Sequence, residues 1–469
     1  MFRITFSNPV PVHFIGIGGI SMSALAELLH KQGFRVSGSD LKPSALTNHL
    51  QSLGITVSYP QQASNIPSDC AVVIYTAAVH ADNPEMVRAT ELGLPILERK
   101  DLLGQIMQQY RHVAGIAGSH GKTSTTSMLS LMLMEGQLDP TILVGGVLDG
   151  IGGNLRMGAD NGYLVAEACE YCNSFLSFYP TDAIILNIEA EHLDFFKDLE
   201  DIRHSFRKYS EILPDSGTLV INGDIERLTE LTDGLGASVI TYGLCDSPEA
   251  CASYDYAAAN CSFDTNGFGS YDLYKKGQLL GRLSLRVIGK HNISNSVAAA
   301  ALAFSYGVSF DAVAAALQKY TGTHRRFEYK GTVNGVRVYD DYAHHPSEIS
   351  ATLSAARACV SGTQKLWCVF QPHTFSRTKA FLPEFAESLA LADTVVLADI
   401  YSASREKDPG DISSGNIAEL LRQKGKEVYY FHTFEEIEKF LSARCAPDDL
   451  LITMGAGDIV SVAESFVSA

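Results

Sequence analysis

Short apolar runs alternate along this chain with longer stretches in which apolar positions recur every third or fourth residue. The short runs predict buried strands and the longer stretches predict amphipathic helices. Their regular alternation predicts α/β architecture with parallel sheets. Three sections separate. Residues 1–110 predict strands at 10–17, 34–38, 71–75 and 95–97 and a helix over 22–31, a doubly wound nucleotide-binding pattern. Residues 111–324 predict a strand entering a glycine-rich turn near 118, a helix over 125–134 and strands at 163–167, 183–187 and 218–222. An irregular β-rich stretch over 246–285 and an alanine-rich helix over 292–306 complete that section. Residues 325–469 predict a hairpin about Asn334-Gly335, then strands at 365–370, 394–398, 427–431 and 450–454. The last strand runs into a second glycine turn, 455–458, that opens a helix.

With 469 residues the chain exceeds what one hydrophobic core organises, so more than one domain is expected. Its net charge of −17 argues against a protein that coats nucleic acid. A nucleotide substrate stays open, because positive charge can gather in one cleft. The nine cysteines form no disulfide framework, which fits a reducing cytoplasm. Cys169 and Cys172 have the spacing of a metal or redox pair, but no second pair accompanies them. The first residues lack the blocks of a signal peptide, and no apolar run approaches a membrane span.

The richest chemistry lies at Gly118-Ser119-His120-Gly121-Lys122-Thr123-Ser124. A glycine turn between a buried strand and a helix presents backbone N–H groups to phosphate, and the helix N-terminus adds positive character. Lys122 can reach terminal phosphates, and the Thr123 hydroxyl can join a magnesium ion. The full phosphate-loop spacing would place a glycine at 116, where this chain has Ile116, so the pattern is the shorter Gly-x-x-Gly-Lys-Thr-Ser. A strand ending in Glu167-Ala168-Cys169-Glu170 offers hard oxygen ligands for such an ion. Glu170 is the first choice and Glu167 the alternate. His192, just past the next strand end and amid acids, is a further metal-ligand candidate.

Other candidates are weaker singly. Gly16, Gly18, Gly19 and Ser21 form a glycine turn that lets a pyrophosphate approach, and Asp40 lies one βαβ step on, where an acid can bind a ribose. That turn also suits a redox dinucleotide or a tight structural turn. Asn292 and Asn295 share a helix face and suit either an adenine edge or helix capping. An arginine of the Arg325-Arg326 pair can swing onto a γ-phosphate. The segments 339–346 and 371–378 both follow strands and place histidine beside charged or hydroxylic groups.

Taken in order, these segments resemble the Mur ligases: His13 to Gly19 with Met22-Ser23, Gly118 to Ser124, Asn187 to His192, Gly289 to Asn295, Arg325-Arg326-Phe327, Asp340 to Pro346 and Gln371 to Thr378. The resemblance implies three α/β domains: an N-terminal Rossmann-like domain for the UDP part of a sugar nucleotide (1–110), a central P-loop ATPase-like domain (111–324) and a C-terminal Rossmann-like domain that brings the amino acid (325–469). It implies ATP and Mg2+, with Mn2+ as an alternative, and the joining of L-alanine to the carboxylate of UDP-N-acetylmuramate in cytoplasmic peptidoglycan precursor synthesis. It places Lys122, Thr123, Glu170 and His192 on phosphate and metal positions. His291 and Asn295 fall in its nucleotide-binding motif and Arg326 on its ATP-side arginine, while His344 and Arg377 fall in motifs lining the amino-acid and acyl-phosphate site. It implies no nucleic acid, no membrane insertion, and a monomer or homodimer.

Four positions depart from the family pattern. Ser21 stands where many members have glycine, Glu191 where aspartate is common, and Thr374 where some have arginine. Arg207 falls roughly where some carry a modified lysine. Rival readings are a ligase of the same family that adds a preformed peptide, a nucleotide sensor without catalysis, and a redox enzyme using NAD at Gly16 to Ser21. The set Glu170, His192 and Arg326 counts against a sensor, which needs no such groups.

Overall fold

The computed structural model describes residues 2–193, 195–402 and 406–468. Its chain is three-sectioned α/β, with mostly parallel sheets, and packs as two compact units: Met1–Tyr242 with Ala298–Val313, and Gly243–Val297 with Ala314–Ala469. Among the described residues no helix is long and apolar enough to cross a membrane.

The first unit holds two sheets. The first contains β1 (Val12–Ile15), β2 (Val36–Ser39), β3 (Thr56–Ser58), β4 (Val72–Tyr75) and β5 (Ile96–Glu98), all parallel in the order β3-β2-β1-β4-β5. Strand β1 is buried along its length because helices cover both faces, and its apolar run is what such burial requires. A buried polar pair beneath it is satisfied: His13 Nε2 meets Glu85 Oε2 at 3.2 Å, both fully buried, and Ser39 Oγ and Asn65 Nδ2 donate to the same carboxylate. The strand order reverses direction between β1 and β4, so a crevice opens at the carboxyl end of β1. There Gly16 adopts φ +78°, and a Cβ on it would meet Thr76 at 2.9 Å.

The second sheet of this unit comprises β6 (His112–Ala117), β7 (Thr141–Leu148), β8 (Gly153–Arg156), β9 (Tyr163–Glu167), β10 (Asp182–Ile185), β11 (Thr218–Asn222) and β12 (Ser238–Leu244), in the order β12-β11-β10-β6-β9-β7-β8. Strands β9, β6 and β10 run parallel as neighbours, so the segments after each emerge at one edge. That edge carries the phosphate turn, Glu170 and His192. The following helix starts at Lys122, three residues before the predicted start. Its first turn is rich in Thr and Ser, poor helix formers that mask the signal, but burial of Thr123 through Leu133 on every side holds it helical.

The second unit contains an antiparallel meander, β13 (Tyr256–Phe263), β14 (Phe268–Lys275) and β15 (Gln278–Ile288). It also contains a sheet of β16 (Glu328–Val333), β17 (Val336–Asp341), β18 (Leu366–Phe370), β19 (Thr394–Leu397), β20 (Glu427–Tyr430) and β21 (Leu450–Met454), ordered β16-β17-β21-β18-β19-β20. The predicted Asn334-Gly335 hairpin joins β16 and β17. Apolar layers cover both faces of the sheet, and Trp367, 2% exposed, donates from Nε1 to Asp449 at 2.9 Å.

Gly104 in the helix Arg99–Met107 is packed so closely that a Cβ would press into the Ser177 carbonyl oxygen. Overpacking of this kind costs about 1–3 kcal/mol, against a helix-propensity gain of about 1 kcal/mol for alanine. Gly104→Ala is expected to lower the thermal unfolding midpoint by several degrees in circular dichroism. A raised midpoint would show that propensity outweighs the contact.

Candidate functional site

Strand β6 ends in a turn that only glycine can make. Gly118 has φ +141°, and a Cβ there would meet the Leu186 Cβ at 2.9 Å. Gly121, at φ +87°, caps the helix Lys122–Glu135. The segment after β10 braces the turn. Ser119 N donates to Asn187 O at 3.2 Å, His120 N to Asn187 Oδ1 at 2.8 Å, and Asn187 Nδ2 returns a bond to His120 O at 3.0 Å. Glu189 N donates to Ser119 Oγ at 2.9 Å.

Lys122 lies across this turn. Its Nζ donates to Gly118 O at 2.5 Å and Ser119 O at 3.0 Å and meets Glu170 Oε2 at 3.1 Å. Burial alone would lower the pKa of this lysine, but the Glu170 carboxylate, helped by Cys169 and Glu191, outweighs it and holds the ammonium above its usual range. The lysine therefore stays charged at every working pH.

Glu170, Glu191 and His192 bring one ligand atom each to within 4.8 Å of one another. His192 Nε2 lies 3.6 Å from Glu170 Oε1, and its ring packs against Tyr171 with centroids 4.6 Å apart. Two buried carboxylates and an imidazole at a phosphate turn suit a hard or borderline divalent cation. Thr123 and Ser124, both buried, begin the helix beside the turn. The structure separates the two carboxylate candidates. Glu167 accepts from Gly145 N at 2.7 Å on the neighbouring strand, while Glu170 joins Lys122 and His192. Glu191 was singled out only as a departure, although its place in the run Glu189-Ala190-Glu191-His192 was the available signal. His120 meets Glu189 at 3.4 Å and Glu191 at 3.8 Å. Cys169 and Cys172 are free thiols, and burial with the Glu170 charge pushes Cys169 up to about 11. Arg207 pairs with Glu211 at 2.8 Å.

At the first glycine turn, Gly18 N donates to Asp40 Oδ2 at 2.7 Å and Leu41 N to Asp40 Oδ1 at 2.7 Å. Asp40 thus braces the turn. Gly19 caps the helix Ile20–Lys31, and Ser21 Oγ accepts from Arg99 Nη1 at 3.2 Å.

The remaining candidates lie in the second unit. Asn292 Nδ2 donates to Ile288 O at 2.8 Å and Asn295 Nδ2 to Asn292 Oδ1 at 3.4 Å, so the amides pin the start of the helix Lys290–Ser305 to β15. Gly289, at φ +93°, lies two residues before His291, and a Cβ on it would meet the imidazole at 2.5 Å. Both arginines lie over the Tyr342 ring, Arg325 at 5.0 Å and Arg326 at 5.1 Å. Arg325 also donates to Asp340 Oδ2 at 3.1 Å and Gly455 O at 2.7 Å, and Arg326 reaches Glu348 at 4.0 Å. Glu348 also meets His344 Nδ1 at 3.2 Å and so bridges Arg326 and His344. No motif pointed to Glu348; the signal was its capping-box spacing from His345. Arg377 Nη1 donates to His373 O at 2.9 Å, and the rings of His373 and His344 lie 5.8 Å apart. Thr374 meets Ser376 at 3.2 Å. Burial pushes the Asp341 carboxyl up to about 7, against the pull of Arg326 and the Ala343 N–H.

Burial, reinforced by Arg377 and opposed by Glu348, brings His344 down to about 3. An unfolded histidine titrates near 6.5. Between these values only the unfolded chain binds the proton, so His344 costs the second unit stability as pH falls from about 6.5 toward 3. The sole tryptophan, Trp367, reports this unit. His344 is expected to contribute a loss of up to about 1.4 kcal/mol per pH unit in that range, read in unfolding followed by this fluorescence as a steeper acid destabilisation of the unaltered protein than of His344→Gln; Asp341, raised to about 7, acts in the opposite sense in both proteins. Equal slopes in the two proteins would contradict the assignment.

Domain descriptions match in chain order: "Mur ligase family, catalytic domain" over residues 11–111, "Mur ligase middle domain" over 116–303 and "Mur ligase, glutamate ligase domain" over 325–457. A UDP-N-acetylmuramate–L-alanine ligase of Lachnoclostridium phytofermentans is 55% identical over 471 residues, spanning 100% of both chains. One of Agathobacter rectalis is 52% identical, again over 100% of each. A crystal structure of UDP-N-acetylmuramate–alanine ligase from Thermotoga maritima superposes with a TM-score of 0.83 at 31% identity, covering 98% of each chain.

Proposed function

The chain belongs to the Mur ligase family, and on that premise we propose that it joins L-alanine to the carboxylate of UDP-N-acetylmuramate at the expense of ATP. The observation that carries this reading is full-length identity of 55% to a ligase of that name, with the phosphate turn, Lys122, Glu170 and His192 assembled at one sheet edge. Residues 1–110 take the sugar nucleotide, 111–324 the ATP and 325–469 the amino acid. The reaction serves peptidoglycan precursor synthesis in the cytoplasm.

A carboxylate is a poor electrophile, so it must first be activated. A carboxylate oxygen of the muramyl group attacks the γ-phosphorus of ATP, the bond to ADP breaks, and an acyl phosphate forms. The free amine of L-alanine attacks the acyl carbon and loses a proton, and phosphate leaves from the tetrahedral intermediate.

The chain's task is positioning and charge neutralisation. The carboxylate and triphosphate repel each other by about 4 kcal/mol per unit charge pair at 4 Å and an effective dielectric near 20. Lys122 leaves the Gly118 and Ser119 carbonyls for the phosphates, while the N–H groups of Gly118 to Ser124 cradle them. Arg326, which lies over Tyr342, supplies a second cation. Thr123, Glu170 and His192 would hold Mg2+ or Mn2+, with Glu191 beside them, and such a cation would offset negative charge on the triphosphate. His291 and Asn295 contact the nucleotide, and His344 and Arg377 line the amino-acid side. Gly16, Gly18, Gly19, Ser21 and Asp40 form the sugar-nucleotide turn.

Lys122→Ala is expected to abolish ADP release with UDP-N-acetylmuramate and L-alanine while leaving sugar-nucleotide binding nearly intact. Normal turnover in that variant would remove Lys122 from this role. With alanine omitted, hydroxylamine should trap the acyl phosphate as a hydroxamate detectable by mass spectrometry. Turnover with alanine but no hydroxamate at any hydroxylamine concentration would count against the stepwise route.

A further inference from the structure

Arg99 opens the helix that follows β5 and comes back to the first glycine turn, because β5 and β1 run parallel and end at the same edge of their sheet. Its Nη1 donates to Ser21 Oγ at 3.2 Å. The neighbouring cation, Lys100, is neutralised by Glu98 at 2.9 Å. The carboxylate of the turn, Asp40, uses its oxygens on the Gly18 and Leu41 N–H groups. Among the described residues Arg99 itself makes no ion pair, although it is only partly exposed. Its charge is felt at the Cys169 thiol, one residue from Glu170.

This is a poor place for a cation without an anion nearby. Ser21 is the second residue of the helix Ile20–Lys31, whose N-terminus carries partial positive charge, and a guanidinium beside it is repelled. Lys31 and His30, by contrast, sit in the last turn, where cations are favoured. A phosphate between the turn and the guanidinium reverses the sign of both interactions. One donor of Arg99 is committed to Ser21, and the rest of the planar fork remains for phosphate oxygens. Glycine, which many members of the family have at position 21, could not accept this bond.

We propose that Arg99 binds the diphosphate of the sugar nucleotide and that Ser21 is the positioning residue that aims it. The proposal rests on the sugar-nucleotide reading above and adds to it two residues acting as a unit.

Calorimetric titration of the full chain with UDP, UDP-N-acetylmuramate and ATP tests it. Arg99→Met is expected to weaken UDP and UDP-N-acetylmuramate alike by at least about tenfold, the loss of one charge-assisted hydrogen bond, and to leave ATP affinity unchanged, which also reports an intact fold. Ser21→Ala should weaken both uridine nucleotides severalfold, Ser21→Thr should restore binding, and the Arg99→Met/Ser21→Ala double variant should bind no worse than Arg99→Met. Unchanged UDP affinity in Arg99→Met would overturn the proposal. So would a loss confined to UDP-N-acetylmuramate, which would move the guanidinium to the muramyl carboxylate. An equal effect of Ser21→Ala with and without Arg99 would overturn the aiming role. Failure of the unaltered chain to bind either uridine nucleotide would instead sink the sugar-nucleotide reading beneath it.

Discussion

The buried contact between Lys122 and Glu170 is the constraint around which the central site is arranged. Two charges taken out of water carry a penalty of several kcal/mol each unless their remaining donors and acceptors are matched. Here the ammonium has two loop carbonyls as well as the carboxylate, and Glu170 in turn faces His192. The arrangement ties the turn to the segment that follows β9. It also keeps the lysine charged, because the carboxylate outweighs burial.

The same logic recurs at the first sheet. Parallel strands end at one edge, and there stand glycines where a Cβ would collide, an acid that ties down N–H groups, and a cation brought from the end of β5. In the second unit the equivalent edge gathers Arg326, His344, His373 and Arg377 about Glu348. Both adjacent arginines lie over the Tyr342 ring, and Arg325 is tied besides to Asp340 and Gly455.

Most strands were legible because parallel strands covered on both faces must be apolar throughout. Strands β9, β11 and β21 lie where the pattern placed them. The misses have physical causes. Strand β3 reads Thr-Val-Ser and β8 Gly-Asn-Leu-Arg, neither an apolar run, and Gly145-Gly146 interrupts β7 after Ile142-Leu143-Val144. Strand β12 exposes or half-exposes most of its residues and lacks the buried signature. The helix after the phosphate turn began early because packing overrode weak propensity in Thr123 to Thr126.

The sequence by itself determined which chemistry could occur, since glycine, lysine, carboxylate and histidine at strand ends admit few uses, and ordered motifs are read without knowing where they meet. It left open which of two carboxylates faces the lysine, whether Asn292 and Asn295 bond to each other, which arginine bonds Asp340, that Glu191 joins Glu170 and His192, and that Glu348 and Arg99 stand beside the motifs. Those were decided by tertiary structure. Strand order sets which loops share an edge, and a difference of a few ångströms in that placement separates Glu170 on Lys122 from Glu167 on the Gly145 backbone.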